Sequence, residues 1–172
     1  MPLDCLMPVP NEPRIGYGFD LHRLEAGRRL ILAGIEVPHN RGCAAHSDGD
    51  VVLHAVTDAI LGAIGQEDIG QLFPDDQAAW ENADSSVFIH EAVRRMQQAG
   101  YRLGNVDIAV ILQTPKLSPH KQAMRQRLAG LLGVDASQIN LKGKTHEQVD
   151  AIGEGRAVAC HTVALLLPCE SG

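Results

Sequence analysis

Apolar residues alternate with polar ones, or follow one another in short runs, in five stretches of the chain. Alternation with a period of two is typical of a strand with one buried face, and a short apolar run between turn residues indicates a buried strand. These patterns predict strands over residues 14–19, 30–37, 106–112, 139–142 and 157–167. The first of them is expected to end at Asp20.

Apolar residues spaced three to four apart predict three helices. The first covers residues 50–64, with Asp48 as its N-cap and Gly65 as its stop signal. The second helix begins at Asp84 or Ser85 and ends at Gly100. The third begins at Ser118–Pro119 and ends at Gly133. Loops are expected at 38–49, 66–83 and 113–118.

The elements follow one another in the order β-β-α-α-β-α-β-β. This order favours an α/β fold of the α+β sandwich type, with one mixed β-sheet and three main helices on one of its faces. No repeat and no linker interrupts the chain, so residues 14–167 are expected to form a single domain. A disordered N-terminal tail (1–13) and a C-terminal tail (168–172) are expected to flank it.

Composition and charge then narrow the class of protein. The 172 residues carry a formal charge of −6 and include 1 Trp, 2 Tyr and 3 Phe. Binding to nucleic acid or to a membrane surface is not expected, since it requires a basic field and, for single strands, aromatic platforms. No run reaches the roughly 18 apolar residues of a membrane span. The cysteines predict reduced thiols in a cytosolic protein, since none forms a CxxC pair: Cys5, Cys43, Cys160 and Cys169.

Two segments carry side chains that suit a metal ion. Asp20 and His22 lie two apart in an extended segment, so their side chains point to the same side. His54 lies on the first predicted helix, four residues from both Asp50 and Asp58. Asp50, His54 and Asp58 therefore form a polar stripe on a helix that is otherwise rich in apolar residues.

Asp20, His22 and His54 together offer one oxygen and two nitrogens. This donor set suits Zn²⁺, and three protein ligands leave a fourth position open for a substrate. The alternative is structural: a surface Asp-x-His pair and an unrelated histidine in the core or on the surface. The residues alone leave both interpretations open.

A third segment, Lys-Gly-Lys-Thr-His-Glu, suits phosphate groups. Lys142, Lys144 and Thr145 offer two cations and a hydroxyl, and Glu147 offers a carboxylate to a hard cation such as Mg²⁺. The alternative is an exposed, charged turn. Residues 113–116 form a proline-stiffened loop that either lines a ligand or only leads into a helix. The chain has no GxSxG, P-loop or GxGxxG motif, so no nucleophilic side chain is indicated.

Five motifs occur in order between about Arg14 and Leu167. They are Phe-Asp-Leu-His at 19–22, Ala-His-Ser-Asp-Gly-Asp at 45–50 with His54, Asp-Ile-Gly at 68–70, Phe-Pro-Asp at 73–75 and Pro-Lys at 115–116. In sequence and spacing they resemble the 2-C-methyl-D-erythritol 2,4-cyclodiphosphate synthase family of the non-mevalonate isoprenoid pathway. The second, third and fourth motifs are highly specific in combination.

The resemblance implies a homotrimer with active sites between adjacent subunits. It implies one Zn²⁺ per site on Asp20, His22 and His54, and a Mg²⁺ or Mn²⁺ held by Glu147 and the substrate diphosphate. The implied enzyme is a phosphorus–oxygen lyase. In its reaction the 2-phosphate of 4-diphosphocytidyl-2-C-methyl-D-erythritol 2-phosphate attacks the β-phosphorus, CMP leaves and the cyclic diphosphate forms.

The resemblance also implies roles for individual residues. His46 and Thr145 are expected to stabilise the transition state through hydrogen bonds. The remaining matched positions are expected to bind the methylerythritol part, the diphosphate or the cytidine: Ser47, Asp58, Asp68, Ile69, Gly70, Phe73, Asp75, Leu112, Thr114, Pro115, Lys116, Leu117, Ser118, Lys144 and His146.

Two positions depart from the pattern of many family members. Lys144 replaces a hydroxyl residue, and Glu154 stands where an arginine can hold an isoprenoid diphosphate in the trimer cavity. The same His and Asp cluster also suits a zinc-dependent phosphohydrolase, and a metal-dependent nucleotide-binding protein without turnover is a third hypothesis. The expected setting is a bacterial cytosol, with a plastid form cut from a longer precursor as the alternative.

Overall fold

The structure, a computed structural model, describes residues 12–74 and 83–169. Within these ranges the strands are β1 (Arg14–Ala26), β2 (Leu30–Leu32), β3 (Ile35–Val37), β4 (Arg41–Ala44), β5 (Tyr101–Ile111), β6 (Ile139–Lys144) and β7 (Ala157–Pro168). The helices are α1 (Val51–Ala63), α2 (Ile69–Leu72), α3 (Ser86–Gln98), α4 (Lys121–Leu132) and α5 (Asp150–Gly153). A single 3₁₀ turn at Ala136–Gln138 leads into β6.

Five strands form one sheet in the order β4-β1-β7-β5-β6. Strand β7 runs antiparallel to both β1 and β5, whereas β5 and β6 are parallel, so the predicted mixed sheet is confirmed. It follows that β1, β5 and β6 all run in the same direction. Strands β2 and β3 form a separate hairpin.

The long helices cover one face of this sheet, as predicted. Helix α1 lies over β1 and β7, α3 packs against α1 and β5, and α4 packs against β6. Helix α1 approaches β1 so closely that a Cβ atom at Gly16 or Gly18 would overlap the backbone oxygen of Ala59 or Ala55. These two glycines therefore set the distance between α1 and the strand that carries Asp20.

The opposite face of β1 is apolar and exposed. Ile15, Tyr17, Phe19 and Leu21 alternate with Gly16, Gly18 and Asp20, and they leave 73%, 58%, 46% and 49% of their surface exposed. Single exposed apolar residues are common, but a continuous row of them is typical of a surface that another molecule covers.

Strands β1 and β5 are longer than the sequence pattern predicts. Strand β1 continues past Asp20 because β7 pairs with it as far as Arg23, and β4 pairs with it from Arg23 to Ala26. Strand β5 starts at Tyr101 because it pairs with the far end of β7. Strand β4 lies inside the stretch predicted as a loop over 38–49, so that prediction is wrong for four residues. All of these pairings are long-range, and local alternation does not reveal them.

The predicted strand 30–37 is a hairpin. Ala33 and Gly34 reverse the chain with φ angles of 56° and 70°, which are typical of a two-residue hairpin turn. The cap predicted for α1 is also wrong, because Asp50 rather than Asp48 accepts the first N–H groups of the helix. The difference follows from Gly49, whose φ of 72° lets the chain turn immediately before Asp50.

Smaller differences concern loops and chain ends. Helix α2 lies within the predicted loop 66–83, and α4 begins after the predicted Ser118–Pro119 start. Pro168 still pairs with Tyr101, so β7 extends one residue beyond its predicted end. Most of the predicted tails, 1–11 and 170–172, lie outside the described residues. None of the described helices has the length and apolar character needed to cross a membrane.

Candidate metal centre and substrate cleft

Asp20, His22 and His54 meet between β1 and α1. The first two side chains lie on the same side of β1, as predicted, and both contact His54 from the first turn of α1. Asp20 Oδ2 lies 2.8 Å from His54 Nδ1 and 3.0 Å from His22 Nε2, and the two ring nitrogens are 3.2 Å apart. The three side chains are largely buried, but they border an open cleft.

These three atoms fit a divalent metal ion. Ligand atoms around a tetrahedral Zn²⁺ are about 3.3 Å apart when each bond measures about 2.0–2.1 Å. The observed separations of 2.8–3.2 Å are close to that value. In the part of the chain that the structure describes, this is the only group of three His, Cys, Asp or Glu residues arranged to hold a metal. The prediction that these residues converge is confirmed.

The negative charge of Asp20 and a positive charge on His54 stabilise each other. Burial opposes ionisation of Asp20, but hydrogen bonds from His22 and His54 outweigh it and hold the pKa of Asp20 well below its usual range. Burial opposes protonation of His54 in the same way, yet the Asp20 carboxylate raises the pKa of that ring. The site therefore holds an ionised carboxylate between two imidazoles, and the carboxylate attracts either protons or a metal cation.

The three residues of the polar stripe predicted on α1, Asp50, His54 and Asp58, have different structural roles. Asp50 is fully buried, caps α1 and accepts N–H groups from the turn between β2 and β3. Burial raises its pKa to about 6. Asp58 accepts the backbone N–H of Ile69 at 2.8 Å and so attaches α2 to α1. Of the three stripe residues, only His54 belongs to the metal centre.

A cleft of about 320 Å³ opens beside the metal centre. Helix α2 forms one wall of this cleft, and Asp68 caps that helix by accepting the N–H of Gln71 at 2.9 Å. Phe73 follows α2, and the centre of its ring lies 4.7 Å from the centre of the Phe88 ring on α3. Besides the three ligand residues, the cleft is lined by Ala44, Ala45, His46, Ser47, Ile69, Gly70, Phe73 and Phe88.

The cleft thus brings together several motifs that are far apart in sequence. His46, Ser47, Ile69, Gly70 and Phe73, all predicted as site residues, line it with the metal ligands. Asp58 and Asp68, also predicted, support its α2 wall through backbone hydrogen bonds. The predicted Asp75 lies outside the described residues.

A second groove, of about 100 Å³, lies at the ends of β5 and β6. The proline-stiffened loop forms one side of it, with a cis peptide bond between Thr114 and Pro115. Gln113 of this loop lines it, as does Lys121, which sequence reasoning did not select. The predicted residues among its lining are Leu112, Pro115, Lys116, Leu117, Ser118, Lys144 and Thr145.

The loop after β6 is exposed and held by local contacts. The Thr145 hydroxyl donates to Glu147 Oε1 at 2.6 Å. His146 Nδ1 lies 3.0 Å from Asp150 Oδ2, and this carboxylate raises the pKa of His146. Glu147 has a φ of 50°, in the left-handed region. Glu147 is not among the residues that line the metal cleft, and its carboxylate accepts the Thr145 hydroxyl.

Lys142 differs from the other lysines of this segment. Its Nζ pairs with Asp107 Oδ2 across the neighbouring strand, and Asn140 Nδ2 donates to the same carboxylate at 2.8 Å. Asp107 therefore partly neutralises Lys142. Lys116 and Lys144 line the groove instead.

The two clefts stay separate on one chain. Asp20 is opposite Cys160 on β7, and Cys160 is opposite Val110 near the end of β5. Strand β7 therefore separates the two strands by about 10 Å, twice the spacing between neighbouring strands. No described residue lines both clefts.

The fold and this site define an α+β protein with three residues arranged so that they could hold a metal ion. The model of the YgbB family matches residues 13–167, and the chain therefore belongs to that family. The family predicted from the motifs is confirmed, because the relatives carry the name 2-C-methyl-D-erythritol 2,4-cyclodiphosphate synthase.

One such relative is the chloroplastic synthase of Catharanthus roseus, which is 64% identical over 154 residues, or 90% of this chain and 65% of the relative. The synthase of Haemophilus influenzae is 51% identical over 154 residues, or 90% of this chain and 98% of the relative. The chain thus spans about two thirds of the plant protein and nearly all of the bacterial one. A solved structure of IspF from Plasmodium falciparum in complex with CDP has a TM-score of 0.83 and 38% identity, over 94% of this chain and 99% of that one.

Proposed function

We propose that this chain catalyses the cyclisation of 4-diphosphocytidyl-2-C-methyl-D-erythritol 2-phosphate. The products are 2-C-methyl-D-erythritol 2,4-cyclodiphosphate, a precursor in isoprenoid biosynthesis, and CMP. The observation that carries the proposal is the convergence of Asp20, His22 and His54 beside a cleft lined by the family's other motifs. Membership of the YgbB family and the names of the relatives support the same reaction.

The metal proposed at this centre is Zn²⁺, because two imidazole nitrogens and one carboxylate oxygen form a donor set that it favours. A bound divalent cation supplies a Lewis acid that neutralises charge on phosphate oxygens. A second cation, Mg²⁺ or Mn²⁺, is proposed at Glu147 together with the substrate diphosphate. The exposed carboxylate of Glu147 supports this assignment, because hard cations favour oxygen ligands.

The protein has to position phosphates rather than supply a nucleophile. The attacking group is a phosphate oxygen of the substrate, which is already anionic near neutral pH, so positioning and charge neutralisation account for the chemistry. His46 and Ser47 line the metal cleft and offer polar groups to the methylerythritol phosphate. Thr145 and Lys144 line the other groove, where a hydroxyl and a cation suit the nucleotide diphosphate.

The second groove is proposed to bind the cytidine. The relative from Plasmodium falciparum is described as a CDP complex, which supports a cytidine nucleotide as ligand. Lys116 brings a positive charge to this groove, and the backbone around Pro115 borders it. The lyase class of the reaction is part of the same proposal. The compartment, a bacterial cytosol or a plastid stroma, stays a prediction.

The proposed assembly is a homotrimer in which a metal cleft meets the nucleotide groove of the next subunit. Two features support it. The two clefts share no described residue on one chain, although one substrate has to reach both. The exposed apolar row Ile15, Tyr17, Phe19 and Leu21 offers a surface that neighbouring copies can bury. Sedimentation velocity is the direct test, and a monomer at working concentrations would contradict this part of the proposal.

The activity is tested by incubating the zinc-loaded protein with the named substrate in ¹⁸O-labelled water. Cyclisation predicts equimolar CMP and cyclic diphosphate without ¹⁸O, followed by ³¹P NMR and mass spectrometry. Products that contain solvent oxygen would instead identify a zinc-dependent phosphohydrolase. Binding of CDP without any product would identify a nucleotide-binding protein. His22→Ala is expected to lose zinc and activity together, and His90→Ala, which changes an exposed histidine on α3, is its matched control.

A further inference from the structure

The two nitrogens of His54 have different surroundings. Nδ1 faces Asp20 and His22 in the metal centre. Nε2 points the other way, into the protein, where Ser85 Oγ lies 2.9 Å from it and Ser47 Oγ lies 3.2 Å from it. The His54 residue is 9% exposed and Ser85 is fully buried, so little water reaches this second nitrogen.

The direction of the hydrogen bond between Ser85 and His54 follows from a third residue, Asp48. The Ser85 hydroxyl donates its proton to Asp48 Oδ1, and the backbone N–H of Ser85 donates to Asp48 Oδ2 at 3.0 Å. A hydroxyl has only one proton to donate. Because this proton is used on Asp48, Ser85 Oγ can only accept a hydrogen bond from His54 Nε2–H.

This direction determines which nitrogen of His54 is available to a metal. A neutral imidazole carries one proton, and the hydrogen bond of one nitrogen decides which tautomer is present. With the Nε2 proton held by Ser85, the proton that Nδ1 shares with Asp20 is the one that a metal ion would displace, and the lone pair freed on Nδ1 points toward Asp20 and His22. Ser47 is a weaker second acceptor, because its Oγ is farther away and already accepts the N–H of Gly49.

We propose that Ser85 and Asp48 are positioning residues that hold His54 in the metal-binding tautomer. This inference rests on the proposed metal site and extends it beyond the three ligands. Asp48 precedes α1 and Ser85 precedes α3. The hydrogen bonds among His54, Ser85 and Asp48 therefore also connect the orientation of the His54 ring to the contact between these two helices. Groups that hold the second nitrogen of a histidine ligand in place typically change metal affinity by about 10–100-fold.

The first test is the zinc affinity of Ser85→Ala, measured by competition with a chelator in the absence of substrate. We expect affinity to fall by about 10–100-fold. Ser86→Ala is the matched control, since Ser86 lies in the same turn but bonds to Asp84 instead of His54. Circular dichroism checks that both variants fold, and Ser85→Thr, which keeps the hydroxyl, is expected to retain zinc affinity.

The second test uses Asp48→Asn, which keeps the shape of the side chain. Its amide can donate to Ser85, and Ser85 can then donate to His54 Nε2 and favour the wrong tautomer. We expect zinc affinity to fall, and we expect the slowly exchanging Nε2–H signal of the zinc-loaded protein to shift or disappear in its ¹H–¹⁵N NMR spectrum.

These experiments separate the inference from the proposed function. Wild-type protein that binds no zinc would overturn the metal site itself. Wild-type protein that binds zinc, together with folded Ser85→Ala and Asp48→Asn variants that match the Ser86→Ala control in affinity, would overturn the positioning role alone. An unchanged Nε2–H signal in Asp48→Asn would do the same.

Discussion

The metal end and the nucleotide end of the proposed site are built in different ways. At the metal end, the ligand atoms of Asp20, His22 and His54 lie 2.8–3.2 Å apart. The second ring nitrogen of His54 is hydrogen-bonded to Ser85, which in turn is hydrogen-bonded to Asp48. At the nucleotide end, the groove is smaller and Lys116 and Lys144 lie exposed beside it. A single chain can thus preorganise its metal centre, whereas its nucleotide groove is expected to need a neighbouring subunit and the ligand.

This contrast has a physical origin. A buried carboxylate between two imidazoles is tolerated only if each polar atom has a partner, so the metal end has to be satisfied within the fold. Exposed lysines are solvated by water and need no partner until an anion binds. The difference predicts that substitutions at the metal end affect folding and metal content, while those at the nucleotide end affect ligand binding.

The largest effect is expected from His54→Ala. A centre with three ligands that loses one no longer holds zinc firmly, and the Lewis acid is lost with it. Since that contribution amounts to several kcal/mol, activity should fall by about 10³-fold or more. Metal analysis and CMP release measure the two losses together. A variant that keeps one zinc per chain would contradict the assignment of this ligand.

The next largest effect is expected from Gly18→Ala, which touches no ligand. The added Cβ would overlap the backbone oxygen of Ala55 and push α1 away from β1. Overpacking of this kind costs about 1–3 kcal/mol of unfolding free energy. Denaturant unfolding measures this loss, and chelator competition should show weaker zinc binding because His54 moves with α1. Gly130→Ala, on α4, is the control, since a Cβ there meets nothing within 4 Å.

A smaller effect is expected from Lys116→Ala, because this lysine is exposed and acts only on the bound nucleotide. CDP affinity should fall by about tenfold, which corresponds to about 1.4 kcal/mol. Zinc content and unfolding free energy should stay at wild-type values. Isothermal titration with CDP is the measurement, and a simultaneous loss of zinc would show that the two ends are not independent.

The smallest effect is expected from Lys142→Met, which removes the ion pair with Asp107. The hydrogen bond from Lys142 lowers the pKa of Asp107 below its ordinary value of 3.8. The pair therefore stabilises the fold above that pH, and its contribution is lost as pH falls through the lowered pKa. Both side chains are more than one third exposed, so the loss at neutral pH should stay below about 1 kcal/mol. Unfolding curves at neutral and acid pH measure it, and an equal loss at both would contradict this account.

The sequence predicts much of the metal end because its signals are local. Asp20 and His22 face the same side through strand alternation, and His54 lies on a strongly apolar helix. What local patterns do not reveal depends on contacts between distant segments. Strand β4 exists because it pairs with β1, and Ser85 reaches His54 only because α3 packs on α1. Lys142 and Lys144 lie in the same segment and look alike in sequence. Lys142, however, pairs with Asp107 on the neighbouring strand, whereas Lys144 lines the groove.

The central claim, that one active site combines the metal end of one subunit with the nucleotide end of the next, is tested by mixing two inactive variants. His54→Ala damages the metal end, and the double variant Lys116→Ala, Thr145→Ala damages the nucleotide end. The two proteins are unfolded together at equal concentration, refolded and assayed for CMP release. Random trimers should recover about a quarter of wild-type activity, because each interface has one chance in four of pairing two intact ends. No recovery, in trimers shown by mass spectrometry to contain both variants, would contradict the account.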